Sequence, residues 1–197
     1  MIRLSDIILG SVGLLISLPI FLIISIAIVV GSGLPVFYIQ RRVGRFGKEF
    51  SLLKFRTMKV NAERSGQLTV GGKDSRITTI GYWLRRYKLD ELPQLLHVIS
   101  GSMSLVGPRP EVPKYVEFYS LEQRLVLGVR PGITDEASLV YFNENELLRM
   151  STDPERHYID TILPDKIRLN MPFVHQPTVG HYYKTIFKTI GRLFGEK

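Results

Sequence analysis

The most extended hydrophobic pattern in the chain is a run of apolar residues near its N-terminus. Residues 7–40 carry no charged side chain, and residues 7–30 are almost wholly aliphatic. A helix needs about 20 apolar residues to cross a hydrocarbon layer that is roughly 30 Å thick. The run is too long for the core of a cleaved signal peptide and unusually apolar for a buried core helix. The pattern therefore predicts a membrane anchor.

A proline, Pro19, interrupts this apolar run near its middle. Proline inside a helix removes one backbone hydrogen bond and clashes with the preceding turn, so it kinks the helix. The hydroxyl of Ser17 is close enough in sequence to bond a carbonyl that the proline leaves free. Hydropathy leaves two arrangements open: a kinked helix that spans the bilayer, and a helix that turns back at the break. Basic residues between 41 and 48 favour a cytoplasmic location for the C-terminal part.

Shorter periodic segments follow the anchor. Residues 35–40 and 50–55 are rich in strand-forming residues, which predicts a short β element. Apolar residues recur at helical spacing in residues 92–99. Helices are predicted over residues 80–87, 92–99, 112–127, 143–150, 154–170 (interrupted at Pro164) and 181–194, and a mobile loop over residues 61–74. The expected fold is thus mixed α/β and mainly helical.

The chain is long enough for one compact domain and an anchor, but too short for two full domains. We expect residues 1–36 to form the anchor and residues 37–197 a small cytoplasmic catalytic domain at the membrane interface. The last predicted helix places apolar residues among lysines, which suits an amphipathic helix lying in a membrane surface. It suits equally well a helix docked on the domain, and the sequence leaves both arrangements open.

Charge and composition narrow the range of partners. The net charge is +8, which favours polyanions such as nucleic acid, anionic lipid headgroups or phosphorylated substrates. No recognised DNA-binding motif and no basic–aromatic platform for single strands occurs, so nucleic acid is not an expected partner. Cysteine is absent, which excludes disulfides, thiolate zinc sites and cysteine nucleophiles.

Two adjacent carboxylates, Asp90 and Glu91, stand shortly before Pro93. Read alone, they are most simply a helix cap, because proline is tolerated in a first helical turn and aspartate caps helices well. A pair of carboxylates could instead hold Mg²⁺, which prefers oxygen ligands and binds phosphates. The pair by itself does not decide between these readings.

Basic side chains suited to phosphate occur on several predicted loops. Arginine forks match phosphate oxygens, and an arginine between two prolines has little freedom to lose on binding. Each such residue is unspecific alone, because a basic side chain on a loop is usually solvated. The candidate phosphate-binding residues are Lys54 and Arg56 in Lys-Phe-Arg-Thr, Arg76 in Asp-Ser-Arg-Ile-Thr, and Arg109 in Gly-Pro-Arg-Pro.

Five sequence blocks give these residues a context. In chain order they are FYIQRRVG at 37–44, KFRTM at 54–58, LDELPQ at 89–94, MSLVGPRP at 103–110 and RPGIT at 130–134. Together they closely resemble the bacterial sugar transferases called monotopic phosphoglycosyl transferases. The resemblance is strong over residues 2–134 and general after that.

The resemblance implies an enzyme that moves a sugar 1-phosphate from a UDP-sugar to undecaprenyl phosphate and releases UMP. This would be the first membrane step of polysaccharide or glycoconjugate synthesis, at the cytoplasmic face of the bacterial inner membrane. Asp90 would be the nucleophile of a covalent phosphosugar intermediate. Glu91 would assist, either as the base acting on the acceptor or as an organiser of the site, and Mg²⁺ would bind at this pair. Arg85 and Arg109 would bind phosphate.

The resemblance also implies a re-entrant helix–break–helix anchor at Ser17 and Pro19, embedded among inner-membrane lipids. A scaffolding relative without activity would have lost Asp90, Glu91 or Arg109, and all three are present. One departure is the pair at residues 135–136, Asp-Glu, where many members have glycine. The sugar and the oligomeric state stay open, and a homodimer is one arrangement that the sequence allows.

Overall fold

The computed structural model describes residues 1–62, 68–71 and 74–195, and it confirms a mixed, mainly helical fold. The α-helices are α1 (Ile2–Ser32), α2 (Thr79–Arg86), α3 (Leu95–Ser100), α4 (Pro113–Val116), α5 (Glu136–Val140), α6 (Glu144–Arg149), α7 (Pro154–His157), α8 (Leu163–His175) and α9 (Val179–Gly195). The 3-10 helices are Arg45–Gly47, Leu89–Gln94 and Gln123–Gly128, and Tyr158–Ile162 is a π-helical turn. The strands are β1 (Phe37–Val43), β2 (Glu49–Phe55), β3 (Ser104–Val106) and β4 (Gly132–Thr134).

The strands form two small sheets. β1 and β2 pair antiparallel with Tyr38 opposite Lys54, and β3 runs parallel to β4. The second pair is so close that a Cβ added at Gly107 would lie 2.3 Å from the carbonyl oxygen of Arg130, and one added at Gly132 would lie 2.2 Å from the amide of Gly107. Only glycine fits there. The blocks at 103–110 and 130–134 are therefore one structural unit.

Helix α1 continues through Pro19 as one α-helix. Ser17 donates to the carbonyl of Leu14 at 2.9 Å, whereas the carbonyl that loses its helical donor to Pro19 is that of Leu15. Most of the helix surface is exposed and apolar, so a buried core helix is the wrong description. In the described part of the chain, α1 is the one helix long and apolar enough to cross a membrane.

Both ends of α1 are bound to the rest of the chain. Near the start, Arg3 donates to the carbonyls of Val98 and Ile99 at 2.5 and 2.7 Å. At the other end, the buried Arg56 donates to the carbonyls of Ser32 and Gly33 at 2.8 and 2.6 Å. The two ends of the apolar helix thus meet one and the same domain.

A second contact near the start of α1 is made by Asp6, which is 1% exposed. Its Oδ1 accepts hydrogen bonds from the Ser104 hydroxyl, the Leu105 amide and the Tyr182 hydroxyl, each at 2.9 Å. Asp6 therefore joins α1 to β3 and α9. Since β3 leads directly into the Gly-Pro-Arg-Pro loop, this carboxylate ties α1 to the segment that carries Arg109.

Several predicted elements are confirmed and others are not. The predictions over 80–87, 143–150 and 181–194 correspond to α2, α6 and α9. The helix predicted over 112–127 is reduced to α4 and a separate 3-10 helix, because Tyr115 and Tyr119 bury in a core with α8 while Phe118 stays exposed. The break predicted at Pro164 is absent, because this proline lies in the first turn of α8. Of the predicted loop, residues 63–67 and 72–73 lie outside the described residues.

Helix α9 resolves the question of how the tail is placed. Tyr182 and Thr185 are fully buried against the domain, while Phe187 is 69% exposed. Glu136 of α5 fixes the helix further through Lys188 at 2.9 Å and the Thr185 hydroxyl at 3.2 Å. The helix is therefore docked on the domain, and it presents apolar side chains on its outer face.

Candidate active site

A cavity of about 1030 Å³ opens between the β1–β2 sheet, the 3-10 helix Leu89–Gln94, the Gly-Pro-Arg-Pro loop and the ends of α5 and α9. Its size is that of a pocket for a substantial ligand. Ionisable side chains from several segments line it, and those that bear on the two carboxylates are Lys54, Arg85, Lys88, Asp90, Glu91 and Arg109.

The local fold places the two carboxylates at this cavity. Leu89 and Leu92 pack against the cluster formed by Ile24, Ile28, Phe55 and Leu84, which fixes one side of the 3-10 helix. The carboxylates between them lie on the cavity side. The helix predicted to begin here starts later, with α3 at Leu95.

Asp90 does not act as a cap. It is 7% exposed, and no residue in the described ranges donates a hydrogen bond to its carboxylate. Burial raises the pKa of Asp90, the negative charge of Glu91 raises it further, and Lys54, Arg85 and Lys88 oppose the change. Since neither the 3-10 helix Leu89–Gln94 nor α3 has a side-chain cap hydrogen bond, capping does not explain the presence of Asp90.

Glu91 has the opposite environment. Arg109 grips it with both ends of its fork, Nη1 to Oε2 at 3.0 Å and Nη2 to Oε1. Lys54 adds a contact from Nζ to Oε1 at 3.2 Å. Burial opposes ionisation, but Arg109 and Lys54 together hold the pKa of Glu91 well below its ordinary value. Glu91 is thus a charged residue whose two oxygens are both engaged.

The pKa of Lys54 is also shifted from its ordinary value. Burial lowers the pKa of Lys54 to about 8, with the charge of Glu91 opposing the change and that of Arg109 adding to it. The charge of Arg109 is secure, because Glu91 raises its pKa. Lys54 therefore loses its proton in a range of pH that experiments can reach.

Arg85 reaches the same cavity from α2. Its Nε donates to the Thr57 hydroxyl at 2.9 Å and its Nη1 to the Thr69 hydroxyl at 2.9 Å. The N-terminus of α2 lies so close to the end of β2 that a Cβ on Gly81 would be 2.0 Å from the Thr57 carbonyl oxygen. This close packing brings the KFRTM block and Arg85 together.

Two of the predicted phosphate-binding residues have other partners. The guanidinium of Arg56 is bonded to the end of α1, as described above. Arg76 is paired with Asp74 at 2.6 Å and donates to the Leu68 carbonyl at 2.6 Å, and it is not among the described residues that line the cavity. The structure brings together Lys54, Arg85 and Arg109 in the cavity with Asp90. Arg56 also lines this cavity but bonds through Nη2 to the end of α1, and Arg76 bonds to Asp74 and Leu68.

Sequence reasoning missed the residue that positions the Arg109 loop. Asp135 is buried and accepts from the Arg109 amide at 2.8 Å, the Ser138 amide at 2.5 Å and the Asn170 side chain at 2.7 Å. It therefore caps α5 and fixes the loop at the same time. The signal in the sequence was the departure from glycine at this position.

The residues at this site fit a magnesium ion that takes few of its ligands from the protein. Among residues 1–62, 68–71 and 74–195, no three acidic or histidine side chains converge on one point. The Asp90 carboxylate, which accepts no hydrogen bond there, could ligate a cation, while the oxygens of Glu91 are already bonded. Mg²⁺ commonly takes one or two carboxylates and fills its other positions with water and substrate phosphate.

Comparison with known proteins adds a context to this geometry. The family described as bacterial sugar transferase matches residues 1–196. A Bacillus subtilis (strain 168) protein, named provisionally as an undecaprenyl-phosphate N-acetylgalactosaminyl 1-phosphate transferase, is 44% identical over 65% of this chain and 74% of its own. Exopolysaccharide production protein ExoY of Rhizobium meliloti (strain 1021) is 40% identical over 66% of this chain and 64% of its own.

A third similar protein covers nearly the whole chain. It is the UDP-glucose:undecaprenyl-phosphate glucose-1-phosphate transferase of Xanthomonas campestris pv. campestris, 40% identical over 98% of this chain. The aligned part is 39% of the Xanthomonas protein. The chain thus spans well under half of that relative and a larger share of the two shorter ones.

Proposed function

The chain belongs to the bacterial sugar transferase family, and we propose that it transfers a sugar 1-phosphate from a UDP-sugar to undecaprenyl phosphate. The name of the Xanthomonas relative states such a reaction for glucose. The observation that carries the proposal is Asp90, a buried carboxylate without hydrogen-bond donors among the described residues, set in a cavity that Lys54, Arg85, Lys88 and Arg109 also line. Such a group is available for chemistry, because no structural contact occupies it.

In the first step, an oxygen of the Asp90 carboxylate attacks the phosphorus atom that carries the sugar. The bond from that phosphorus to the bridging oxygen breaks, and UMP leaves with the electron pair. A mixed anhydride between Asp90 and the sugar phosphate remains. A carboxylate nucleophile divides one difficult displacement into two easier ones, and the nearby Arg85, Arg109 and Lys54 offset the negative charge that builds up on the phosphoryl oxygens.

In the second step, an oxygen of undecaprenyl phosphate attacks the same phosphorus. The bond to Asp90 breaks, the carboxylate is regenerated, and the sugar leaves on a lipid-linked diphosphate. Glu91 acts as the organiser of the site in this proposal, because a base would first have to release the fork of Arg109. Holding Arg109 and Lys54 in place is a role that its present contacts support.

Magnesium belongs to the proposal as a partner of Asp90 and of the substrate phosphates. When bound, the ion would supply charge neutralisation at the transferring phosphoryl group. Chelation of divalent cations should therefore stop turnover.

The proposal places the enzyme on the cytoplasmic face of the bacterial inner membrane, with α1 as a re-entrant anchor. A straight helix of 31 residues would be about 46 Å long, so its ends would emerge on opposite sides of a bilayer of about 30 Å. Arg3 and Ser32 instead contact the same domain. A cysteine in place of Ile2 should resist a membrane-impermeant thiol reagent added outside intact cells, and labelling there would mean a spanning helix.

The decisive experiment follows the covalent intermediate. The purified protein is incubated with Mg²⁺ and a panel of UDP-sugars in the absence of lipid acceptor, and its intact mass is measured. One UDP-sugar should add a single sugar phosphate to the chain, at the peptide containing Asp90, with release of UMP. Asp90→Asn serves as the control and should gain no mass. Release of UMP without an adduct would show direct displacement and would contradict the proposed intermediate.

A further inference from the structure

Lys88 has an unusual backbone for its residue type. It follows Tyr87, the C-cap residue of α2, and adopts the left-handed conformation with φ 55 and ψ 20. Glycine usually takes this position after a helix, since a side chain there is strained. Strain retained beside a cavity is a signal of function when the surroundings hold it in place. Lys88 is two residues from Asp90, so this strain lies beside the proposed nucleophile.

The side chain of Lys88 is uncommitted. It lines the cavity that contains Asp90 and Arg109, and its Nζ lies 5.1 Å from the centre of the Phe142 ring. Within the part of the chain that the structure describes, the Lys88 side chain makes no ion pair and donates no hydrogen bond, while its backbone amide donates to the Arg85 carbonyl at 3.2 Å. Lys54 and Arg109, in contrast, are both paired with Glu91.

We propose that Lys88 binds a phosphate oxygen of the substrate beside Asp90. The inference rests on the proposed function and adds a residue to its binding site. Around Asp90, four basic side chains face two carboxylates, and Glu91 already neutralises part of the charge of Lys54 and Arg109. The ammonium of Lys88 is the one cation of this group whose donors stay unused among the described residues. Phe142 limits where that ammonium can lie.

A purely structural role offers a different explanation. A lysine near the end of α2 interacts favourably with the negative end of the helix dipole, and Arg85 and Arg86 already serve that end. The two explanations differ in what glycine would do at position 88. As a cap, glycine should work at least as well as lysine, whereas a phosphate contact would be lost.

The test compares Lys88→Gly and Lys88→Arg with the wild-type chain in lipid nanodiscs. Phe46→Gly is the matched control, because Phe46 is also in the left-handed conformation but lies outside the cavity. Calorimetry with UDP gives Kd, steady-state assays give KM for the UDP-sugar and for undecaprenyl phosphate, and thermal unfolding gives Tm. Lys88→Gly should weaken phosphate binding about tenfold with an unchanged or higher Tm. Lys88→Arg should stay within about threefold of wild type, and Phe46→Gly should leave KM unchanged.

The arms of the experiment separate the outcomes. A rise in Kd for UDP and in KM for the UDP-sugar assigns the contact to the donor diphosphate, and a rise in KM for the lipid acceptor alone assigns it to the acceptor phosphate. If Lys88→Gly changes none of these constants while Tm holds, Lys88 is only a helix cap and the inference is wrong. If the wild type binds UDP but transfers no sugar phosphate, the proposed function fails, and the Kd values still decide the role of Lys88.

Discussion

Asp6 and Asp90 are both buried aspartates, and they lie in regions built for different purposes. Asp6, at the junction of α1, β3 and α9, is 1% exposed and accepts three hydrogen bonds at 2.9 Å. Asp90, at the cavity floor, is 7% exposed and accepts none from the described residues. Burial alone therefore does not distinguish a structural carboxylate from a reactive one. What distinguishes them is whether the surroundings satisfy the oxygens.

Beside the site, Asp135 is another buried carboxylate whose oxygens are satisfied by hydrogen bonds. It lies directly behind Arg109 and is bonded by two backbone amides and by Asn170. Glu91, on the cavity side, is bonded by Arg109 and Lys54. Arg109 is thus fixed from both sides by satisfied carboxylates, while Asp90 next to it stays open. This contrast predicts that alanine at position 90 lowers turnover but not stability, and that alanine at position 6 does the reverse.

The largest effect is expected for Asp90→Ala on turnover. Loss of the nucleophile should lower kcat by about three orders of magnitude or more. Because burial raises the pKa of Asp90, its ionised form costs stability at neutral pH, so removal of the carboxylate should leave the free energy of unfolding unchanged or raise it. Thermal unfolding and sugar-phosphate transfer are measured on the same preparation. Retained turnover would disprove the assignment.

The matched change, Asp6→Ala, should do the reverse. It leaves the donors of Ser104, Leu105 and Tyr182 buried without an acceptor, which should cost about 3 kcal/mol of stability. The molecules that stay folded should keep kcat within a few fold, because Asp6 is not among the described residues lining the cavity. Denaturant unfolding in nanodiscs measures the loss. A large drop in kcat with unchanged stability would show that the two regions are not separate.

The smallest effect at neutral pH is expected for Lys54→Arg. In the wild type, Lys54 loses its charge as the pH rises through about 8, and the support it gives to Glu91 and to phosphate goes with it. The kcat/KM profile should therefore fall on the alkaline side near pH 8. Arginine stays charged in this range, so the variant should keep its activity to higher pH while differing little at pH 7. An identical alkaline limb in both proteins would exclude Lys54 as its origin.

Much of the site was predictable because its blocks are local. The order of the motifs predicted that Lys54, Arg85, Asp90, Glu91 and Arg109 belong together, and the structure gathers all five around one cavity. Local pattern could not tell Arg56 and Arg76 from the others, since the same residue type serves a helix end, a loop or a ligand. Arg56 bonds to Ser32, which lies in a different segment of the chain. Arg76 bonds to Asp74, which is close in sequence, but this pairing depends on the conformation of the loop.

The sequence by itself determined the long apolar N-terminal helix, the mainly helical class and the family, because composition and short motifs are read along the chain. Tertiary structure alone decided which carboxylate is satisfied and which is open. That depends on donors from distant segments: Ser104 and Tyr182 for Asp6, Asn170 for Asp135, and Lys54 and Arg109 for Glu91. It also decided that residues 112–127 form no continuous helix, because burial against α8 outweighed the local helical pattern.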